Sequence, residues 1–366
     1  MMIQFNPMPL LAANPATSSL RRRVRCAHLA AGLALAVFGC RAPTSTLSRD
    51  ASRAQSSALP PQASAESAIT AAGSSAGTPS PAAPSTLASS QAMPECSSSL
   101  PTPPVDGVAC GPLDCRQFAS AEQALAYLIH TTSPLVLAVG EIHAQKGSSL
   151  KASPTQRFAT LLPRLCGRAR DLVIELWTAR NDCGDDRVER VNKAQKPVTS
   201  AQASTNKNEF FELGNVAKAN HIQPHALVPS CEDYQSIVAA KEQDIARMLE
   251  LTATQTAEMA ENLLQSRGSK TGSPMVLLYG GAMHNDLSPA EGRESFSYGP
   301  RLARSTSNRM TELDLVLREQ VRDTDLFRRM AWYPYFRSET LEKQFTLYRV
   351  GPRSFTLIFP NQAYLP

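Results

Sequence analysis

The chain predicts an α/β fold: a mostly parallel sheet with helices on both faces and a C-terminal β-hairpin, preceded by a signal and a disordered tether. Three observations carry that expectation. Apolar runs of strand length at 135–139, 172–177 and 275–279 lack the alternation of a half-exposed strand, as strands buried on both faces do. Between them, apolar residues recur at three- and four-residue steps, the helical period. Strands alternating with helices are the pattern of a parallel sheet with crossover helices.

In chain order, 119–129 reads as a helix and 135–139 as the first central strand. Residues 154–168 suit a second helix, with Phe158, Leu161, Leu162 and Leu165 on one stripe and Gly167 near its end. The second strand is 172–177, followed by a long polar excursion over 178–207 and a helix near 209–220. Residues 221–228 form the third strand. The stretch 234–267 is one long helical pattern or a broken helical hairpin. Strands at 275–279 and 313–317 follow, and 346–350 and 354–359 flank Gly351, Pro352 and Arg353 as a hairpin. No fixed-period repeat is present.

What precedes the domain reads as address and tether. Arg21, Arg22, Arg23 and Arg25 form a basic region, 27–38 is an apolar run, and Gly39 and Cys40 follow. Val37, Phe38, Gly39 and Cys40 resemble the lipobox of bacterial lipoproteins, which makes 1–39 a signal peptide and Cys40 the lipidated first residue. The apolar run is well short of the roughly 20 residues that a membrane span needs. Residues 40–104, dominated by Ser, Ala, Pro and Thr, bury too little apolar surface to offset ordering entropy. As a flexible coil they reach roughly 40–50 Å. The domain proper is 105–366.

The whole chain carries a net charge of +5, and residues 1–39 hold four arginines and no acid, so the remainder is near 5 − 4 = +1. That balance implies no nucleic-acid partner. Six cysteines follow Cys40, namely Cys96, Cys110, Cys115, Cys166, Cys183 and Cys231. An even number in an exported chain favours disulfides over metal binding. Cys110 and Cys115 are close enough to close a small ring, Cys183 and Cys231 follow strands whose loops they suit to staple, and the full pairing stays open.

Chemistry concentrates where the apolar runs end. Gly140, Glu141, Ile142 and His143 leave the first strand, and an extended backbone points Glu141 and His143 the same way. A carboxylate beside an imidazole either orients a general base or shares a metal. Glu175 interrupts the second apolar run, sharing a face with Val173 and Trp177, and a charge on a covered strand demands a partner. His284 follows Gly280, Gly281 and Ala282, with Asn285 and Asp286 as candidates to fix its tautomer. His225 reads as a core histidine, His130 and His221 as helix-end polar groups, Met283 as packing, and Lys146 and Tyr298 as candidate substrate contacts.

At Gly140, Glu141 and His143, at Glu175 and at Gly281, Ala282 and His284 the chain resembles a superfamily. It groups ChaN-type haem-binding lipoproteins, erythromycin esterase-like enzymes and Tiki/TraB proteins. The resemblance spans about 134–317. An alanine follows His143 and a methionine precedes His284, so no subfamily pattern is matched in full. The Tiki side implies a divalent-metal-dependent peptidase, the esterase side hydrolysis with an activated water, and the ChaN side haem at the same edge.

The resulting expectation is a lipid-anchored envelope hydrolase acting on a peptide or ester bond. Glu141, His143 and Glu175 are its candidate catalytic residues. His143, Glu175 and His284 are candidate ligands for zinc, manganese or cobalt. A metal-free version needs His143 alone as base, oriented by a glutamate. The alternatives are a haem-binding lipoprotein with His143 or His284 as axial ligand, and a degenerate domain that binds a partner. Expected partners are a small molecule or peptide and, through Cys40, a membrane.

Overall fold

The computed structural model describes Cys96, Leu100 and residues 105–364, apart from 149, 179–180, 267–273 and 337–340. The expected signal peptide and nearly all of the tether lie outside the described residues.

The strands are β1 (Val108–Gly111), β2 (Cys115–Phe118), β3 (Val136–Glu141), β4 (Ala169–Trp177), β5 (Gln223–Leu227), β6 (Met275–Gly281), β7 (Met310–Leu317), β8 (Phe345–Arg349) and β9 (Ser354–Phe359). They form one sheet in the order β1-β2-β8-β9-β7-β3-β6-β4-β5. From β9 through β7, β3, β6 and β4 to β5 every pairing is parallel. The C-terminal β8–β9 hairpin and the β1–β2 hairpin are antiparallel. The α/β fold with its mostly parallel sheet and C-terminal hairpin is therefore the observed one.

Helices α1 (Ala121–Thr132), α2 (Pro154–Ala159) and α4 (Asn206–Ala219) cover one face. There Leu137, Val139, Leu172, Ile174, Leu277, Leu313 and Leu315 meet Leu125, Leu128, Phe158, Phe210 and Leu213. Helices α6 (Asp244–Ser266) and α7 (Gly299–Ser305) cover the other, where Val136, Ala138, Val173, Val276 and Leu278 meet Ala257, Ala260 and Leu302. Two covered faces explain why the central strands carry no polar alternation.

Local signals set the helix ends. Ser120 accepts from the Gln123 N–H at the start of α1, and Ser153 with Gln156 forms a capping box on α2. The expected helix over 154–168 instead ends at Ala159 and resumes as a short 3-10 turn, Leu162–Leu165. Pro163 is the reason, because it lacks an N–H and its ring crowds the carbonyl four residues back. The pattern over 234–267 resolves into α5 (Cys231–Ala239) and α6, joined by a turn in which Lys241 adopts a positive φ.

The polar excursion contains a helix that periodicity did not announce, α3 (Asp185–Thr199). Val188, Val191 and Ala194 give it a narrow apolar stripe packed on Tyr234, Ile237 and Met248. The β1–β2 hairpin was also unannounced, its strands being only four residues each. Disulfides join Cys110 to Cys115, Cys183 to Cys231 and Cys96 to Cys166. Among the described residues no helix is long and apolar enough to cross a membrane.

Candidate active site

Glu141 ends β3, Gly280 and Gly281 end β6, and Glu175 lies near the end of β4, so the three central strands deliver their chemistry to one carboxyl edge. Strand parity places the two glutamates on opposite faces. Glu141 alternates with Leu137 and Val139, whereas Glu175 alternates with Val173 on the side covered by α6. They approach each other only over the rim of the sheet, where the backbone is reduced to glycine.

The first pair is His143 with Glu141. His143 Nδ1 lies 2.7 Å from Glu141 Oε1, and Thr155 Oγ1 donates to Glu141 Oε2 at 2.9 Å. Tyr279 also donates its hydroxyl to Glu141 Oε2, and burial together with Glu141 keeps that phenol well above its usual pKa. A carboxylate only accepts, so Nδ1 carries the proton of this bond. The ring is held further by Phe210, edge-on at 6.1 Å. The loop behind it is clamped on two sides. Lys146 N–H donates to Ala201 O at 3.0 Å and Ala203 N–H to Ala144 O at 2.8 Å, while Gln320 Nε2 donates to Ile142 O at 2.8 Å.

The second pair is His284 with Glu175. His284 Nδ1 donates to the Phe296 carbonyl at 2.6 Å, and its Nε2 faces Glu175 Oε1 at 3.4 Å. Glu175 Oε2 accepts the Gly281 N–H at 2.6 Å. Burial pushes the Glu175 carboxyl up, but the His284 and His143 imidazoles outweigh it and hold the group below the usual carboxylate range. For His284 burial pushes down, and the Glu175 carboxylate outweighs that and raises it. Both shifts describe one buried ion pair, with His284 and Glu175 only 2% and 5% exposed.

The glycines decide the closeness of the two pairs. A Cβ at Gly281 would sit 3.2 Å from His143 Nε2 and 3.6 Å from Glu175 Oε2, so both groups lean over that residue. At Gly280 a Cβ would fall 2.3 Å from Glu175 Oε2 and 2.7 Å from its Cβ. Gly280→Ala is therefore expected to expel Glu175 from its seat and destabilise the domain by about 1–3 kcal/mol, the usual range for overpacking a core. Urea unfolding measures this, and an unchanged midpoint would contradict the seat.

The structure brings Glu141, His143, Glu175 and His284 to one edge. Asn285 and Asp286 do not fix the His284 tautomer, because Phe296 O does so. Asn285 instead donates to Asp314 Oδ1 at 3.0 Å, and Asp286 accepts from the Ser288 N–H. Met283 packs with α5 and α6, and Tyr298 is buried in the α6–α7 core. His225 pairs with Asp171 at 2.9 Å, away from the site, while Asp233 caps α5. His130 is exposed in the last turn of α1, and His221 sits just past α4 with φ +60°.

Three participants escaped the sequence reading. Tyr279 was legible as the one polar group in its apolar run, whereas Thr155 comes from α2 with nothing local to mark it. The Phe296 carbonyl is backbone and leaves no trace in composition.

The donor set carries one mark of a metal site and lacks another. Both imidazoles have Nδ1 tied to an acceptor and turn Nε2 toward Glu175, the usual dress of metal-ligating histidine. However, one zinc with bonds of about 2.0–2.2 Å draws its ligand atoms to within roughly 3–4 Å of one another. Among the described residues, the one trio of His, Cys, Asp or Glu with ligand atoms all within 4.8 Å is Asp182, Cys183 and Cys231, and its cysteines form a disulfide. As they stand, His143, Glu175 and His284 are too widely spaced to share one ion.

For haem, neither His143 nor His284 lines either of two cavities among the described residues, of about 590 and 370 Å³. The smaller one adjoins the His143 loop, with Ala144, Gln145, Lys146, Ser153, Gln156 and Glu209 in its wall. Compared with models of protein families, with curated proteins and with solved structures, the chain matches none.

Proposed function

We propose that this chain is a hydrolase of ester or peptide bonds that activates water with His143. The observation that carries the reading is the 2.7 Å bond from His143 Nδ1 to Glu141, which holds an oriented imidazole with its Nε2 edge beside Gly281. Water delivers its oxygen to the substrate carbonyl and its proton to Nε2, while Glu141 holds the ring and stabilises the imidazolium that forms. His284, whose pKa the Glu175 carboxylate raises, gives a proton to the departing oxygen or nitrogen as the carbonyl bond to it breaks. His143 then gives its proton to solvent, His284 takes one back from solvent, and the site resets.

Substrate approaches along the polar cavity beside Ala144, and the site must open to admit it, since His143 is only 2% exposed.

A metal-dependent version is the second reading, favoured by the outward Nε2 atoms of both histidines. It requires His143, Glu175 and His284 to close on the ion, and no step above depends on one. Placement at the cell envelope through a lipidated Cys40 completes the proposal, and three disulfides suit an oxidising compartment.

The test uses the full chain carrying Cys40→Ser, purified without chelator, on p-nitrophenyl acetate and a fluorogenic peptide. Turnover that survives EDTA is expected. Activity seen only after adding zinc, manganese or cobalt, with metal retained near one equivalent, would replace this reading by the metal-dependent one. No turnover on either substrate under any condition counts against hydrolysis of these bonds.

A further inference from the structure

The larger cavity lies at the opposite, amino edge of the parallel strands, away from the two His–Glu pairs. Its volume is about 590 Å³, within the range of pockets that enclose small organic ligands. Its walls come from the end of α1 (Thr131), the start of β7 (Met310), the β8–β9 turn (Arg349, Arg353) and the start of β9 (Phe355). Leu287 and Ala303 add apolar surface from the α7 side.

The charges around it are unbalanced. Arg353 is half-buried, donates to Thr311 Oγ1 at 3.2 Å, and is lowered in pKa by burial and by the nearby Arg309. Arg309 itself donates to the Ser133 carbonyl at 3.0 Å. Among the described residues neither arginine is paired with a carboxylate. Arg349 lies over the Phe355 ring, 5.9 Å from its centre, and its partner Asp114 is 3.8 Å away. Glu312, next to the floor through the Leu287 N–H it accepts, is pushed up to about 9 by burial and by Asp314, and so adds no negative charge at neutral pH.

The rim is also held in costly backbone. Leu113 and Asp114 have φ of +61° and +44° inside the ring closed by Cys110 and Cys115, and Ser307 and Asn308 have φ of +52° and +59° before β7. Two consecutive non-glycine pairs in the left-handed region are uncommon, and such backbone gathers where a ligand site is preorganised. Asp114 and Asn308 both line the cavity.

We propose that this cavity is a second binding site, for a small amphiphile with an anionic head and an apolar body. The head, a carboxylate or phosphate, takes the guanidinium groups of Arg353 and Arg349, whose planar forks match such oxygens. The body lies against Met310, Leu287, Ala303 and Phe355. Nothing in this assignment depends on the hydrolase reading, because the site shares no residue with the catalytic edge.

The experiment is calorimetric titration of the full chain carrying Cys40→Ser with octanoate, octyl phosphate and octanol. Saturable binding of the two anions is expected, at least tenfold tighter than octanol. Arg353→Met and Arg349→Met are each expected to weaken it tenfold or more while circular dichroism and the melting temperature stay close to the parent. A preference for octyl phosphate over octanoate identifies a phosphate head, and the reverse a carboxylate. If Arg353→Met fails to fold, the rim residue Arg349 decides alone. Equal affinity for octanol, unchanged affinity in a folded Arg349→Met, or no saturable binding of either anion overturns the proposal.

Discussion

Replacing His143 by glutamine is expected to lower kcat/KM for hydrolysis by roughly 10²–10⁴-fold, the usual worth of a positioned general base. Glutamine keeps an N–H to offer Glu141 but has no basic atom in place of Nε2, so the fold survives while proton abstraction is lost. Glu141→Gln is expected to fall between wild type and His143→Gln, because the ring keeps a hydrogen-bond partner but loses the carboxylate that stabilises its cation. Steady-state kinetics with thermal melts separate these effects. A His143→Gln enzyme that melts normally and turns over at the wild-type rate would remove His143 from the chemistry. Loss of activity with a collapsed melting temperature would instead assign the residue to structure.

The second large effect concerns stability against pH. On the α7 face of β7, Glu312 is pushed up to about 9 and Asp314 to about 7, in each case first by burial. Asp314 adds to the shift of Glu312, and Asp286 bears on both. The folded chain therefore keeps protons that the unfolded chain releases above the ordinary carboxylate pKa near 4.5. Since the folded state binds more protons in this window, stability falls as pH rises from about 5 toward 9. At 1.36 kcal/mol per pH unit for one proton, the decline from about pH 5 to 8 is on the order of 2–4 kcal/mol. Glu312→Gln is expected to flatten this slope and to raise stability at pH 8, because the amide retains an acceptor for the Leu287 N–H. Urea unfolding at three pH values reads it directly. A wild-type protein equally stable at pH 5 and 8, or a Glu312→Gln slope as steep as the parent's, contradicts an uncharged Glu312.

The boundary between legible and illegible residues follows interaction range. The central strands announced themselves because a strand buried on both faces must be almost wholly apolar, and 135–139, 172–177 and 275–279 are, with Glu175 the one charge among them. Pro163 was in plain view, yet the apolar stripe continued across it and disguised the break after Ala159. Helix α3 was hidden for the opposite reason, with only four aliphatic residues in fifteen and a partner surface on α5 and α6 supplied from elsewhere in the chain. At the site, Glu141 and His143 could be paired from two-residue spacing in an extended segment. The bond from Tyr279, 138 residues away from Glu141, could not.

By itself, then, the sequence determined which segments are buried strands, that the chain folds as an α/β sheet closed by a hairpin, and that Glu141, His143, Glu175 and His284 stand at strand ends. Those are local properties, written in alternation and in apolar run length. The tertiary structure alone decided that β6 lies between β3 and β4, which brings Gly280 and Gly281 between the two glutamates. It also decided which partner each imidazole takes: Glu141 for His143, and Glu175 with the Phe296 carbonyl for His284. Strand order and hydrogen-bond partners depend on groups far apart in the chain, and buried polar atoms choose among those groups only once packing has excluded water.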